Sequence, residues 1–157
     1  MTAYEPTPST FGHLVANTRG RSVSPVQAAV VGSPERASVR LYLHDARSTR
    51  NTLLGWEIGS GEQLGRYVDV PAIPIDDVLA HPCDLLKVDC EGGEFGIFEH
   101  VADAALRRAR RIVLEFHRTA GEPALLLSRL RASGFDADIV AGTDPAEPFG
   151  VIGARRR

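Results

Sequence analysis

The sequence predicts an α/β fold with parallel strands, on two observations. Short apolar runs of strand length alternate with segments whose apolar residues recur at helical spacing. One such run ends in a block rich in acids and glycine, Lys87-Val88-Asp89-Cys90-Glu91-Gly92-Gly93-Glu94, just before a helical segment. The carboxyl ends of strands are where open α/β sheets hold ligands. At 157 residues, 43% hydrophobic and 24% charged, the chain suits a single domain over 1–157 with a real core.

The elements follow in order. The opening residues read as extended up to Glu5, because proline disfavours helix in the residue before it. Ser9 and Thr10 are suitable helix caps; Phe11, Leu14 and Val15 follow at helical spacing, with Gly20 as the stop. Residues 25–31 read as one buried strand, and Gly32-Ser33-Pro34 turns the chain. Val39, Leu41 and Leu43 alternate with Arg40, Tyr42 and His44, as in a strand with one wet face. Residues 45–65 read as a loop and 66–70 as a short strand. Asp76 and Asp77 open a short helix, where acids suit the dipole. A strand over 85–89 leads through the Gly92-Gly93 turn to a helix over 94–108. Its apolar stripe runs from Ile97 to Leu106, and Arg107, Arg108, Arg110 and Arg111 lie near its end. Residues 112–116 form an apolar strand. A helix over 122–133 closes at Gly134, and strands follow over 135–140 and 149–153. Arg155-Arg156-Arg157 reads as a solvated tail.

Charge and composition exclude several classes. A net charge of −2 argues against nucleic-acid binding or attachment to anionic membranes. No run approaches the ~20 apolar residues of a membrane helix, and the first residues lack a basic start and apolar stretch. Cys83 and Cys90 are too few for a disulfide framework or a four-cysteine zinc site; they read as reduced thiols, implying a cytoplasmic protein. The basic residues are seventeen arginines and one lysine, Lys87, inside the acid-and-glycine block.

If the strand continues to its end, Lys87, Asp89 and Glu91 share one face and Leu86, Val88 and Cys90 the other. Gly92 and Gly93 allow a tight turn and close approach to a ligand. A salt-bridged strand end with Glu94 as a helix-capping carboxylate explains the same residues without function. Glu115 and His117, two apart at another strand end, share a face. A histidine near its natural pKa suits removal of a hydroxyl proton; a histidine that only braces its turn, with Glu115 pairing to Lys87 or an arginine, is the structural alternative. His13, His44, His81 and His100 lack partner spacing and read as surface residues. Asp89, Glu91 and Glu94 together offer oxygen ligands for a divalent metal, against which Lys87 competes.

The block Lys-x-Asp-x-Glu-Gly-x-Glu after an apolar strand resembles the signature of the FkbM-type methyltransferases. Other segments agree in order: Tyr4-Glu5-Pro6-Thr7-Pro8 with Phe11, Leu14 and Asn17; Ala28-Ala29-Val30; Pro74-Ile75-Asp76-Asp77-Val78-Leu79; Val113-Leu114-Glu115-Phe116-His117; and Leu130 with Gly134-Phe135. The likeness covers about residues 3–140. It implies a Rossmann-like class I methyltransferase sheet that uses S-adenosylmethionine to methylate a hydroxyl of a sugar, glycan or secondary metabolite. It further implies cofactor contacts from Glu5, which would hold the ribose, Lys87 and Asp89, and catalytic roles for Asp89, Glu91 and His117, with His117 or Asp89 as base. It implies no metal.

The family's first strand and its glycine-rich Asp-x-Gly-Ala-x-x-Gly loop have no counterpart among these residues. Gly59-Ser60-Gly61 with Gly65 does not open a helix, as such a loop would. The expectation is therefore an N-terminally truncated sheet lacking its central strand, with unpaired edges and a tendency to self-associate. Two further readings stand beside the methyltransferase: a non-catalytic fragment or partner-binding module, and a metal-dependent hydrolase using Asp89, Glu91 and His117.

Overall fold

A computed structural model describes residues 1–33, 37–43, 51–53 and 67–157 of the chain. The loop expected over 45–65, apart from residues 51–53, lies outside them, as do His44, Arg66 and the Gly59–Gly65 stretch.

The chain opens with β1 (Thr2–Tyr4) and α1 (Pro8–Thr18). Thr7, not Ser9 or Thr10, is the N-cap, because Pro8 takes the first helical position, where its missing N–H costs nothing. Gly20 follows the helix at φ +73°. The strand expected over 25–31 is two strands, β2 (Ser24–Val26) and β3 (Ala29–Val31). β2 lies parallel to β1, while β3 lies parallel to β5 (Tyr67–Pro74) in a different sheet, so the chain changes sheets at Gln27-Ala28. β4 (Ser38–Tyr42) pairs antiparallel with the other edge of β5, which is longer than its sequence pattern suggested. This three-stranded sheet buries a small core of Ala29, Leu41 and Val70.

The second half holds the main core. After α2 (Ile75–Val78), the strands β6 (Leu86–Val88), β7 (Arg111–His117), β8 (Phe135–Ala141) and β9 (Phe149–Arg156) form a sheet in the order β6-β7-β9-β8. β6 and β7 are parallel, and β9 runs antiparallel to both of its neighbours. Arg155 and Arg156 belong to β9 rather than to a tail: Arg155 pairs with Arg111, and the Arg156 N–H donates to the Arg110 carbonyl. One face of the sheet buries Val88, Ile112, Leu114, Phe116, Phe135 and Ile152 beneath α3 (Glu94–His100), α4 (Asp103–Leu106) and α5 (Pro123–Ala132). Among the described residues, one edge of β6 and one edge of β1 pair with no strand.

The helix expected over 94–108 is broken into α3 and α4. Ala102 is extended (φ −66°, ψ 140°), and its N–H donates to Asp76 Oδ1. The break is held from a distance. Arg129 on α5 donates to the carbonyls of Phe98 and Val101, which the end of α3 leaves unpaired, and to Asp103 and Ser133. α5 itself ends as expected, with Gly134 at φ +92°. Against α3, Gly32 is packed so closely that a Cβ there would lie 2.2 Å from the Gly96 carbonyl oxygen, which docks the end of β3 on the helix.

Candidate active site

The site is built where β6, β7 and the start of α3 meet. β6 stops at Val88, and the chain turns through Glu91 at φ +47° and Gly92 at φ +94°. A left-handed conformation at a residue with a Cβ is costly and needs local support. The Glu91 carbonyl accepts a hydrogen bond from Thr52 Oγ1 at 2.9 Å. Glu94, the first residue of α3, folds back on the turn: its Oε2 accepts the Gly92 N–H at 2.9 Å.

The other oxygen of Glu94 holds the end of β7. Oε1 accepts the backbone N–H of His117 at 2.7 Å and lies 2.9 Å from His117 Nδ1. The Glu94 side chain is 0% exposed. A carboxylate oxygen that only accepts assigns the Nδ1 proton to the histidine. The lone pair of Nε2 is then left facing Glu91 Oε2 at 3.4 Å and Glu115 Oε1 at 3.7 Å. His117 is 16% exposed, and its ring rests 6.3 Å from that of Phe149.

Three carboxylates around one imidazole set its protonation. Burial pulls the His117 pKa down, but the hydrogen bond that His117 donates to Glu94 and the charges of Glu94, Glu91 and Glu115 outweigh it, and the net shift is upward. Glu91 is also raised, first by burial and then by Asp89, Glu115 and Glu94, with His117 opposing. Burial pushes the neighbouring Cys90 thiol up to about 12, so it stays protonated; Cys83 and Cys90 are both free.

The expected site residues thus divide. Glu91 and His117 come together, with Glu115 beside them. Asp89 does not join them: its Oδ2 pairs with Lys87 Nζ at 2.8 Å, both side chains being substantially exposed at 36% and 65%. The shared face of Lys87, Asp89 and Glu91 stops at Asp89, because the left-handed Glu91 leaves the strand. Among the described residues, Glu115 pairs with neither Lys87 nor an arginine; its ion-pair partner is His117. Glu5 lies just past β1, half-buried, and its Oε1 accepts the Thr7 N–H at 2.7 Å. Asn51 Nδ2 donates to Thr7 Oγ1 at 3.2 Å, so residues 51 and 52 link the turn after Glu5 to the turn at Glu91. Among the described residues, no three His, Cys, Asp or Glu side chains are grouped to hold a metal ion, and both oxygens of Glu94 are taken by N–H donors.

Sequence reasoning missed the central role of Glu94. Its signals were its place at the end of the Lys87–Glu94 block and just after two glycines, which a simple helix cap shares. Asn51 and Thr52 carried no signal.

The chain matches the Methyltransferase FkbM domain over residues 1–137. It is also 39% identical over 139 residues to the AMB antimetabolite synthetase AmbE of Pseudomonas aeruginosa, an alignment covering 68% of this chain and 6% of that protein. The chain therefore spans only a small part of that relative. No solved structure matches it. No helix among the described residues is long and apolar enough to cross a membrane. With the signature block, the histidine strand end and the match over residues 1–137 in agreement, the chain belongs to the FkbM methyltransferase family.

Proposed function

We propose that the chain acts as an S-adenosylmethionine-dependent O-methyltransferase on a hydroxyl of a sugar or secondary metabolite, with His117 as general base. One observation carries this reading: a fully buried carboxylate, Glu94, fixes both the backbone and the Nδ1–H of His117 and leaves Nε2 facing Glu91 and Glu115. The same division of labour, an orienting carboxylate behind a histidine, serves proton abstraction on unrelated folds.

The residues fit the nucleoside half of the cofactor. Among the described residues, only Oε1 of Glu5 has a partner, the Thr7 N–H, and the carboxylate stands at a strand end suited to ribose hydroxyls. They offer less to the methionine half, since no Asp-x-Gly-x-x-x-Gly segment occurs in the 157 residues and Lys87 is held by Asp89. When bound, S-adenosylmethionine supplies a methyl group already activated toward an oxygen nucleophile. The chain's own task is then to place the acceptor hydroxyl within reach of His117 Nε2 and take its proton there. Glu94 keeps the ring in the useful tautomer and stabilises the imidazolium that forms. Glu91 and Glu115 flank Nε2 and add to that stabilisation. The nearby Asp89 is the lesser candidate for base because it is engaged with Lys87.

The test is transfer of labelled methyl from millimolar S-adenosylmethionine to a panel of sugars and hydroxylated acceptors. His117→Gln should lower the rate ~10²–10⁴-fold, the range of a positioned acid–base group. Undiminished transfer by a folded His117→Gln protein contradicts the assignment. The alternative of a non-catalytic module predicts no transfer by the unaltered chain to any acceptor.

A further inference from the structure

The opposite end of the β6–β7 pair carries a second concentration of charge, of the other sign. Seven of the seventeen arginines fall within residues 107–111 and 155–157. The chain brings these two segments together because β9 returns antiparallel along β7, placing Arg155 opposite Arg111 and bonding the Arg156 N–H to the Arg110 carbonyl. Beside them a cleft of ≈ 440 Å³ is lined by Arg107, Arg108, Arg110 and Arg156. It lies one β7 length from His117, about 20 Å at ~3.3 Å per residue.

The arginines are only partly used. Arg108 Nη1 donates to the Leu79 carbonyl at 2.9 Å, and Arg156 Nη1 donates to the Arg107 carbonyl. These bonds fix two of the guanidinium groups at the cleft while leaving most of their five N–H donors available. Arg110 meets Asp84 only at 3.9 Å, with both side chains well exposed, a contact of little strength. Arg107 lies 3.7 Å from Asp103, whose carboxylate is already bonded to Arg129 and Ser133. Against four guanidinium groups the described residues set two ion-paired carboxylates, Asp84 and the shared Asp103, which leaves a surplus of about two positive charges among them. Holding like charges together costs stability unless an anion joins them. Guanidinium forks match the oxygens of phosphate, and several converging on one cleft suit a ligand with more than one phosphate charge. Pro82, Cys83 and Ala104 supply an apolar wall against which the rest of a small molecule can lie. The volume is that of a small-ligand site.

We propose that this cleft binds a small phosphorylated molecule of charge −2 or more, at a site separate from the Glu94–His117 centre. The shared chemistry is the phosphate group, whether free, on a nucleoside or on a sugar. Calorimetric titration with inorganic pyrophosphate, a nucleoside diphosphate and a sugar 1-phosphate, each at 0.15 M salt, tests it and separates the sources. Saturable binding of pyrophosphate with Kd below ~1 mM is expected, at least tenfold weaker in Arg110→Gln/Arg156→Gln and unchanged in His117→Gln and Arg40→Gln. Tighter binding of one ester than of pyrophosphate identifies which source the apolar wall accepts. Because Arg156 braces the Arg107 carbonyl, Arg110→Gln alone serves as the milder variant, with a smaller loss expected in the same direction. No saturable binding up to ~10 mM overturns the proposal. So does binding that the double variant keeps, or binding by long polyanions with none by pyrophosphate.

Discussion

Two charged pairs sit within a few residues of each other at the end of β6, and they differ in nearly everything but sign. Lys87 on β6 and Asp89 just past its end meet at 2.8 Å, both side chains substantially exposed to water. Glu94 and His117 meet at 2.9 Å with the carboxylate wholly buried, joined by two backbone N–H groups and flanked by two further acids. The exposed pair is screened by solvent and contributes ~0–1 kcal/mol. The buried carboxylate has lost its hydration, and every lone pair it uses is answered by the protein, so breaking it leaves charge and donors stranded. A chain that needs a rigidly placed imidazole gets it from the second arrangement and not from the first.

The comparison breaks most visibly at Glu94. Glu94→Ala strands the Gly92 and His117 N–H groups and unmoors the ring, and should cost ~3–5 kcal/mol, lowering Tm by on the order of 10 °C. Urea or thermal unfolding checks this; a loss under ~1 kcal/mol would mean the carboxylate is not the anchor described. Glu91→Gly should move in the other direction. Glycine takes φ +47° without a Cβ penalty, so stability should rise by up to ~1 kcal/mol, while methyl transfer falls because Nε2 loses a flanking carboxylate. A rise in stability without a fall in transfer would remove Glu91 from the site. The smallest effect belongs to the exposed pair. Asp89→Asn should change stability by less than ~1 kcal/mol, as measured by the same unfolding curves, and a larger loss would show that Asp89 braces the turn.

Much of this was legible in the residues, and what was hidden has physical reasons. The strand ends just before Glu5 and Asp89 and at His117, the Gly92 turn, and α5 with its Gly134 cap are all local patterns of period, proline and glycine. The break between α3 and α4 is not local: Val101 and Ala102 carry no stop signal, and the extended Ala102 is held by Asp76 and by Arg129, each more than twenty residues away. The switch of sheets at Gln27-Ala28 has no turn residue to announce it. Glu94 was visible as an acid at a helix start, where an exposed cap and a buried anchor have the same sequence. Only the return of β7 decides between them.

The pH behaviour follows from the same geometry. With its pKa raised above 6.5 in the fold, His117 contributes stability that is fully present below the unfolded value and is lost as pH rises through the folded one. Glu91, raised from 4.5, shifts stability in the same direction. Methyl transfer should show the opposite trend, rising as His117 loses its proton.

The most direct test is a nitrogen NMR titration of the His117 ring, identified by its loss in His117→Gln. The account predicts a neutral form with the proton on Nδ1, a pKa above 6.5, and a fall in that pKa in Glu94→Gln. A neutral form protonated on Nε2, or a pKa that Glu94→Gln leaves unmoved, would contradict the claim that Glu94 sets His117 for proton abstraction.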